Sequence, residues 1–386
     1  MATRALATSQ SRLPLDHRYA IFGRADVHTD SVCPAGDSYG NFRQVAMIVE
    51  ADPPSPAVPV PFASRQFNVT PTTVFQCAPP VDPGCVDFYN PSPIDVSGVT
   101  FIFPAATRHL DQPNKPGTSF PSPYTSCRTM NDGMLDVRMA FSRLLSGTNS
   151  TGGRFTRVSS EPVVPRGMGT RDPATGLFTG AGSEWDSGMV FMATGVAVLP
   201  SEPSHFSMYY FGGQVTHGFE AYHVGEQYPA ARGYGRLRWR RDGFVSLSTP
   251  FDGTVGTVLT KPLLIDGMDA AAALRLVLNL ETSVSGEAVV HVIMGAAPDP
   301  MTATPILSSL PVLGNSVAAT VIWKATLTNE AGFACSDENG PGAMPKAGDV
   351  KLQSDMAAAV QTGGNGGIRL RISVQDAHLF SITFEQ

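Results

Sequence analysis

DFYNPSPI (87–94), VTFIFPAA (99–106), LDVRMAFSR (135–143) and RFTRVS (154–159) are four short runs rich in β-branched and aromatic residues, separated by Gly, Pro, Asp, Asn and Ser. Runs of this kind read as strands joined by turns. The same order of features returns in DSGMVFMA (186–193), FSMYYFGG (206–213), GRLRWRR (235–241) and GFVSLS (243–248). Each set has a strand opening with Asp, an aromatic strand, a strand carrying Arg and a short closing strand. A partial copy lies upstream in YAIFGRAD (19–26), FRQVAMIVE (42–50) and SRQFNV (64–69). Four-stranded units in series predict a β-propeller-like domain whose innermost strands line a common axis. An irregular sandwich is the competing arrangement.

The pattern changes after about residue 240. TVLTKPLLI (257–265), LRLVLNLET (274–282), EAVVHVIM (287–294), SVAATVIWK (316–324) and GIRLRISVQDAHLFSITF (367–384) alternate strictly between apolar and polar residues. Strict alternation bounded by turn residues predicts an antiparallel β-sandwich. The chain therefore reads as all-β in two domains, 1–235 propeller-like and 236–386 sandwich. MDAAAALRL (268–276) and QSDMAAAVQ (353–361) carry short helical patterns, each worth a turn or two of helix. TGGNGG (362–367) is a tight connection.

Composition agrees with this class. The chain has 386 residues, 42% hydrophobic and only 16% charged, and its 38 Gly and 32 Pro show no collagen period. This excludes bulk disorder and a charged coiled coil. A net charge of −6 gives no footprint for a phosphate backbone, so nucleic acid is not an expected partner. No apolar run is long enough for a membrane-spanning helix, and no membrane partner is expected. The basic, acid-free start MATRALATSQSR lacks the apolar core of a secretory signal. Localisation stays open. Cys33, Cys77, Cys85, Cys127 and Cys335 form no CxxC pair, so no structural zinc is expected. Cys77 and Cys85 flank a Pro-rich loop that oxidation would close, and Asn68 and Asn149 begin sequons that matter only on a secretory route.

The run RLRWRRDGFVSLSTPFDGTVGTVLTKPLLIDG (236–267), followed by LRLVLNLETSVSGEAVVHV, VIWK and IRLRISVQDAHLFSITF, resembles the C-terminal sandwich of glycoside-hydrolase-like proteins of the invertase, levansucrase and arabinanase superfamily. VDFYNPSPI, FIFPAATRHL, NDGMLDVRMAFSR, GSEWDSGMVF and MYYFGGQVTHG resemble its propeller strands. The resemblance implies a five-bladed propeller of which this chain shows about three units, with N-terminal blades missing. It also implies carbohydrate as partner and hydrolysis of a glycosidic bond in an oligo- or polysaccharide. No strand here resembles the one that carries the family's nucleophilic aspartate. Arg171-Asp172-Pro173 lies in a Gly- and Thr-rich loop and takes no stabilising role.

Glycoside hydrolysis needs two carboxyl groups across the scissile bond. Asp87 and Asp186 open equivalent strands of successive units and are expected to converge at the propeller axis, with Glu184 on the same face as Asp186 and serving as the acid. Arg108, His109 and His217 end aromatic strands and suit sugar hydroxyls, while Tyr89, Trp185 and Tyr210 suit stacking on sugar rings. The competing reading makes each Asp a turn residue that satisfies local backbone N–H groups. On that reading the chain is a non-catalytic carbohydrate-binding or structural module. Asp136 reads as a solvated strand residue, and Arg238, Arg240 and Arg241 read as an outer-edge charge run. No GxSxG, HExxH, Walker or dinucleotide motif is present, and no cofactor or metal is expected.

Overall fold

The computed structural model describes residues 3–5, 20–28, 41–49, 66, 70–78, 81–82, 86–96, 98–111, 129–143, 155–170, 183–217, 231–264, 274–324 and 367–385. Among them every regular element is a strand: β1 (Thr3–Ala5), β2 (Ala20–His28), β3 (Asn41–Val49), β4 (Thr72–Phe75), β5 (Val86–Tyr89), β6 (Ile94–Val96), β7 (Val99–Ile102), β8 (Ala105–Asp111), β9 (Thr129–Val137), β10 (Ala140–Ser142), β11 (Thr156–Arg157), β12 (Met189–Met192), β13 (Ala197–Val198), β14 (His205–Gly213), β15 (Arg232–Arg240), β16 (Leu247–Ser248), β17 (Val255–Leu259), β18 (Arg275–Met294), β19 (Leu307–Ser308), β20 (Asn315–Thr320) and β21 (Ile368–Glu385). The chain divides into two compact units, Met1–Trp239 and Arg240–Gln386. Among the described residues no helix is long and apolar enough to cross a membrane. The helical patterns at 268–276 and 353–361, the expected strand at 65–69, both sequons and the 171–173 tripeptide lie wholly or mostly outside the described residues.

The first unit holds three sheets, ordered β1-β2-β3-β4, β11-β10-β7-β6 and β13-β14-β12-β9-β8-β5, the last joined by β15 beside β14. The four strands expected to build one blade are split between the second and third of these. VTFIFPAA breaks at Phe103-Pro104 into β7 and β8, and LDVRMAFSR breaks at Arg138-Met139 into β9 and β10. Pro104 has no N–H to continue a ladder, and its carbonyl instead accepts Arg138 N at 3.0 Å. The register is conserved across the break, Ile102 facing Ala140 and Ala105 facing Val137. A single hairpin therefore bends and passes from one sheet to the next.

DFYNPSPI breaks at the same corner, between β5 and β6. Asn90 (φ 52°) and Ser92 (φ 40°) both adopt the left-handed region, which Asn tolerates better than most residues. The Ser92 hydroxyl and the Asn90 amide both donate to the Met192 carbonyl, at 2.7 and 3.1 Å. Phe22, Val45, Phe75, Phe88, Ile102, Ala140 and Phe155 form one core beside this corner. Ala105 and Leu135 pack on the opposite face of the seven-stranded sheet with Met189 and Val215, as a two-residue period requires.

Residues 76–78 and 81–82 are anchored by a buried ion pair. Asp82 meets Arg157 through both guanidinium arms, at 2.6 and 3.1 Å, and accepts Ala78 N at 2.9 Å. The guanidinium carbon lies 4.3 and 5.0 Å from the ring centres of Phe75 and Phe88. Cys77 keeps a free thiol whose hydrogen faces the Asp82 carbonyl; burial raises its pKa, and the nearby Asp82 charge adds to the rise. Cys85 is outside the described residues.

Among the described residues the second unit forms one sheet dominated by two long antiparallel strands, β18 and β21. Their pairing is interrupted between Thr282 and Glu287, opposite Gln375–Ala377. Here Asp376 takes φ 43°, and an ideal Cβ on Gly286 would collide with the Asp376 carbonyl oxygen. The break separates two halves. Residues 287–294 of β18 and 368–375 of β21 are flanked by β17 and β19, whereas 275–282 and 377–385 are flanked by β16 and β20. Both halves feed one core, with Leu276, Leu278 and Leu280 from one and Val290, Ile372 and Val374 from the other. Across the break four residues of β18 (283–286) stand opposite one of β21, Asp376, and the buried apolar positions of β21 pass from even up to Val374 to odd at Ala377 and Leu379.

Arg240 is not an outer-edge charge. Its Nε donates to Asn279 Oδ1 (2.5 Å), Nη1 to Asn315 Oδ1 (2.6 Å) and Nη2 to the Leu280 carbonyl (2.9 Å), and its guanidinium covers the Phe380 ring at 4.8 Å. Three donors satisfied by polar partners fix the side chain in place. Arg238 and Arg236 both reach Glu202 instead, at 3.4 and 3.0 Å.

Candidate ligand-binding site

Asp87 lies on β5, and Asp186 lies in the turn that leads into β12 of the same sheet. Asp87 on β5 is in register with Thr107, Thr107 with Leu135, and Leu135 with Met189. Three inter-strand steps separate Asp87 from the strand that follows Asp186, about 14 Å at ordinary spacing. Asp186 is three residues further along. Asp87 is 4% exposed and engaged: Oδ2 pairs with Arg43 Nη1 at 3.1 Å and Oδ1 accepts Arg43 N at 3.2 Å. Its local role is to tie β5 to β3.

The structure does bring Glu184, Trp185, Asp186 and Tyr210 together. They sit where the segment entering β12 crosses β14. Period 2 places Tyr210 and Gly212 on one face of β14, and Gly233 and Gly235 on one face of β15. On Gly212 a Cβ would meet Asp186 Cβ and the Trp185 ring, on Gly233 it would touch the Trp185 ring, and on Gly235 it would collide with the Tyr210 ring. These glycines leave room for the two rings, which stack with centroids 5.6 Å apart and planes at 27°. Both rings are half-buried and Glu184 is exposed.

The two carboxyl groups converge on Gly167. Asp186 Oδ1 and Glu184 Oε2 both lie within 2.7 Å of the point a Gly167 Cβ would occupy, so they are about 5 Å apart or closer, near the spacing of a retaining carboxyl pair. Gly167 itself stands between them. Glu184 Oε2 accepts Met168 N at 2.5 Å, Met168 O accepts Glu184 N at 2.8 Å, and Arg166 Nη1 donates to the Ser187 carbonyl at 2.6 Å. Asp186 Oδ2 accepts the Tyr210 hydroxyl at 2.9 Å. Burial first, and the hydrogen bond to Asp186 second, push the Tyr210 phenol up to about 12. Tyr210 is thus held protonated, as a donor and a flat surface rather than a nucleophile.

The remaining sequence candidates fall elsewhere. Arg108 and His109 lie on β8 opposite Met134 and Gly133, and Tyr89 lies on β5 opposite Ala105; their side chains are outside those described. His217 is exposed, packs edge-on against Phe191 at 5.8 Å, and donates its backbone N–H to Gly133 O at 2.9 Å. The backbones of His109 and His217 therefore meet at Gly133. Asp136 is buried and bonded to Arg138 Nε at 2.9 Å rather than solvated. Among the described residues no three of His, Cys, Asp and Glu are grouped so as to hold a metal ion. The glycine floor of the site was missed from sequence; its signal is GYG at 233–235, alternating with the aromatic and glycine pattern of FGG at 211–213.

No family model and no curated protein matches the chain.

Proposed function

We propose that the chain is a non-catalytic carbohydrate-binding module, with the Trp185–Tyr210 pair as its sugar platform. The observation that carries this reading is the stacked pair on its glycine floor, flanked by two carboxylates. Aromatic faces take the C–H face of a pyranose, and carboxylate oxygens accept its hydroxyls. Glu184 Oε1 and Asp186 Oδ1 accept no hydrogen bond from the described residues and are available for that purpose. The all-β scaffold belongs to the same reading. Calorimetric titration of the full chain with neutral, aminated and acidic oligosaccharides, beside a reducing-sugar assay, tests it. Binding without turnover, abolished by Trp185→Ala, is the expected result; no binding to any saccharide refutes it.

A second reading, hydrolysis of a glycosidic bond, is favoured by the spacing of Glu184 and Asp186. It requires Gly167 to leave the gap. Turnover lost in both Glu184→Gln and Asp186→Asn would establish it in place of the first.

A further inference from the structure

We propose that the Trp185–Tyr210 site takes a protonated amino sugar in preference to a neutral or acidic one. This rests on the carbohydrate-binding reading and narrows it to a ligand class.

The argument begins with how the first unit treats its buried acids. Asp82, Asp87, Asp136 and Asp186 are 3, 4, 7 and 9% exposed. Burying a carboxylate is costly unless a partner compensates it. Three of them have an arginine at 2.6 to 3.1 Å: Arg157, Arg43 and Arg138. Asp186 differs. Its hydrogen-bond partner is the neutral Tyr210 hydroxyl, and Glu184, of the same sign, stands across Gly167. Among the described residues neither Glu184 nor Asp186 makes an ion pair. The site holds two acids without an arginine partner, whereas the other buried acids among the described residues of this unit each meet one.

The surroundings decide what kind of cation fits. A calcium ion takes six to eight oxygen ligands, and two aromatic faces supply none. An ammonium group suits the site on each count. It offers three N–H donors, and the two uncommitted carboxylate oxygens accept two of them. The faces of Trp185 and Tyr210 attract the positive charge, while the sugar ring stacks beside it. An N-acetyl group at the same position carries no charge and one donor. A uronate is repelled.

The test compares trimers of glucosamine, N-acetylglucosamine and galacturonate by calorimetric titration of the full chain at mildly acidic pH. The glucosamine trimer is expected to bind at least about tenfold more tightly than the N-acetyl trimer, with the uronate weakest, because two carboxylates within a few ångströms of one ammonium act through partly excluded water. Glu184→Gln retains an acceptor for Met168 N, so the melting temperature should hold while the preference shrinks toward unity. Trp185→Ala should weaken both amine and N-acetyl trimers. Equal affinity for those two trimers overturns the amino-sugar inference and leaves the carbohydrate reading standing. Absence of binding to all three overturns both.

Discussion

Removing the Asp82 carboxylate should destabilise the first unit by about 3 kcal/mol, and the damage should be partly undone by removing Arg157 as well. Asp82 is 3% exposed, and the Arg157 side chain it pairs with is 16% exposed. Deleting one member of a buried pair strands the other, at about 3–5 kcal/mol. Arg157 keeps its bond to the Gln76 carbonyl and its place against Phe75 and Phe88, which sets the cost at the lower end. Asp82→Ala also leaves Ala78 N without its acceptor, about 1 kcal/mol if water does not replace it. In Asp82→Ala/Arg157→Met no unpaired charge remains, so the double variant should be more stable than Asp82→Ala alone. Urea unfolding followed by tryptophan fluorescence reads this. Trp185 and Trp239 report on the first unit and Trp323 on the second. With a slope of about 3 kcal/mol per molar, the first transition should move down by about 1 M in the single variant. A shift under about 0.3 M, or a double variant as unstable as the sum of the two singles, would refute the reasoning.

Other outcomes follow from the same geometry. Gly235→Ala drives a methyl into the Tyr210 ring, and should cost about 1–3 kcal/mol and weaken saccharide binding, checked by thermal melting and titration. Asp186→Asn removes the charge beside Tyr210, so ultraviolet difference titration against Tyr210→Phe should show the phenol ionising below its native value of about 12 yet still above the ordinary 10, because burial, the larger cause, remains. In the native chain that raised value favours the folded state below pH 10, and the contribution disappears as pH rises through about 12. His291 is pushed below its ordinary 6.5 by burial and then by Arg371 and Lys324. The unfolded chain therefore binds its proton more tightly, and stability is full above about 6.5 and falls as pH drops through the lower folded value. The pH dependence of the second unit's melting should flatten in His291→Gln. Asp376→Ala breaks the bonds to Gly253 N (3.0 Å) and Ser285 Oγ (3.3 Å) and puts a β-carbon residue without a local acceptor at φ 43°, a loss of about 2 kcal/mol measurable in the Trp323 transition.

The strands were legible where apolar periodicity was strong. The 367–384 run forms β21, whereas the 274–282 and 287–294 runs, which alternation gives as two strands with a turn between them, are the two halves of the single strand β18. The sheet assignment of the earlier strands was not. Alternation reports that a segment is extended, not which neighbour it joins, and the bend at Phe103-Pro104 was overlooked although proline announces a break in hydrogen bonding. Asp136 and Arg138 share a strand face by spacing, yet hydropathy marks both as solvated when each satisfies the other in the interior. Arg43 and Asp87 meet across 44 positions, a separation at which one sequence carries no pairing signal. At the candidate site strand spacing puts Glu184 and Asp186 on one face, and residue type alone suggests Trp185 and Tyr210 for stacking. What brings them together, the absence of side chains at Gly167, Gly212, Gly233 and Gly235, resembles ordinary turn composition until the tertiary fold is known.

The central position of β21 in its sheet constrains the order in which the second unit can assemble. It pairs with β16, β17 and β18, all of which precede it in the chain by at least 74 positions at the β18 end. During synthesis on a ribosome those strands emerge first and wait with open edges and an uncovered apolar face, because their common neighbour has not yet been made. Contacts of such sequence separation make closure slow and expose the waiting strands to aggregation. Nascent chains arrested before residue 368 should therefore remain protease-sensitive throughout the second unit and engage holding chaperones. Release of the segment 368–385 then becomes the step at which the unit acquires its structure all at once.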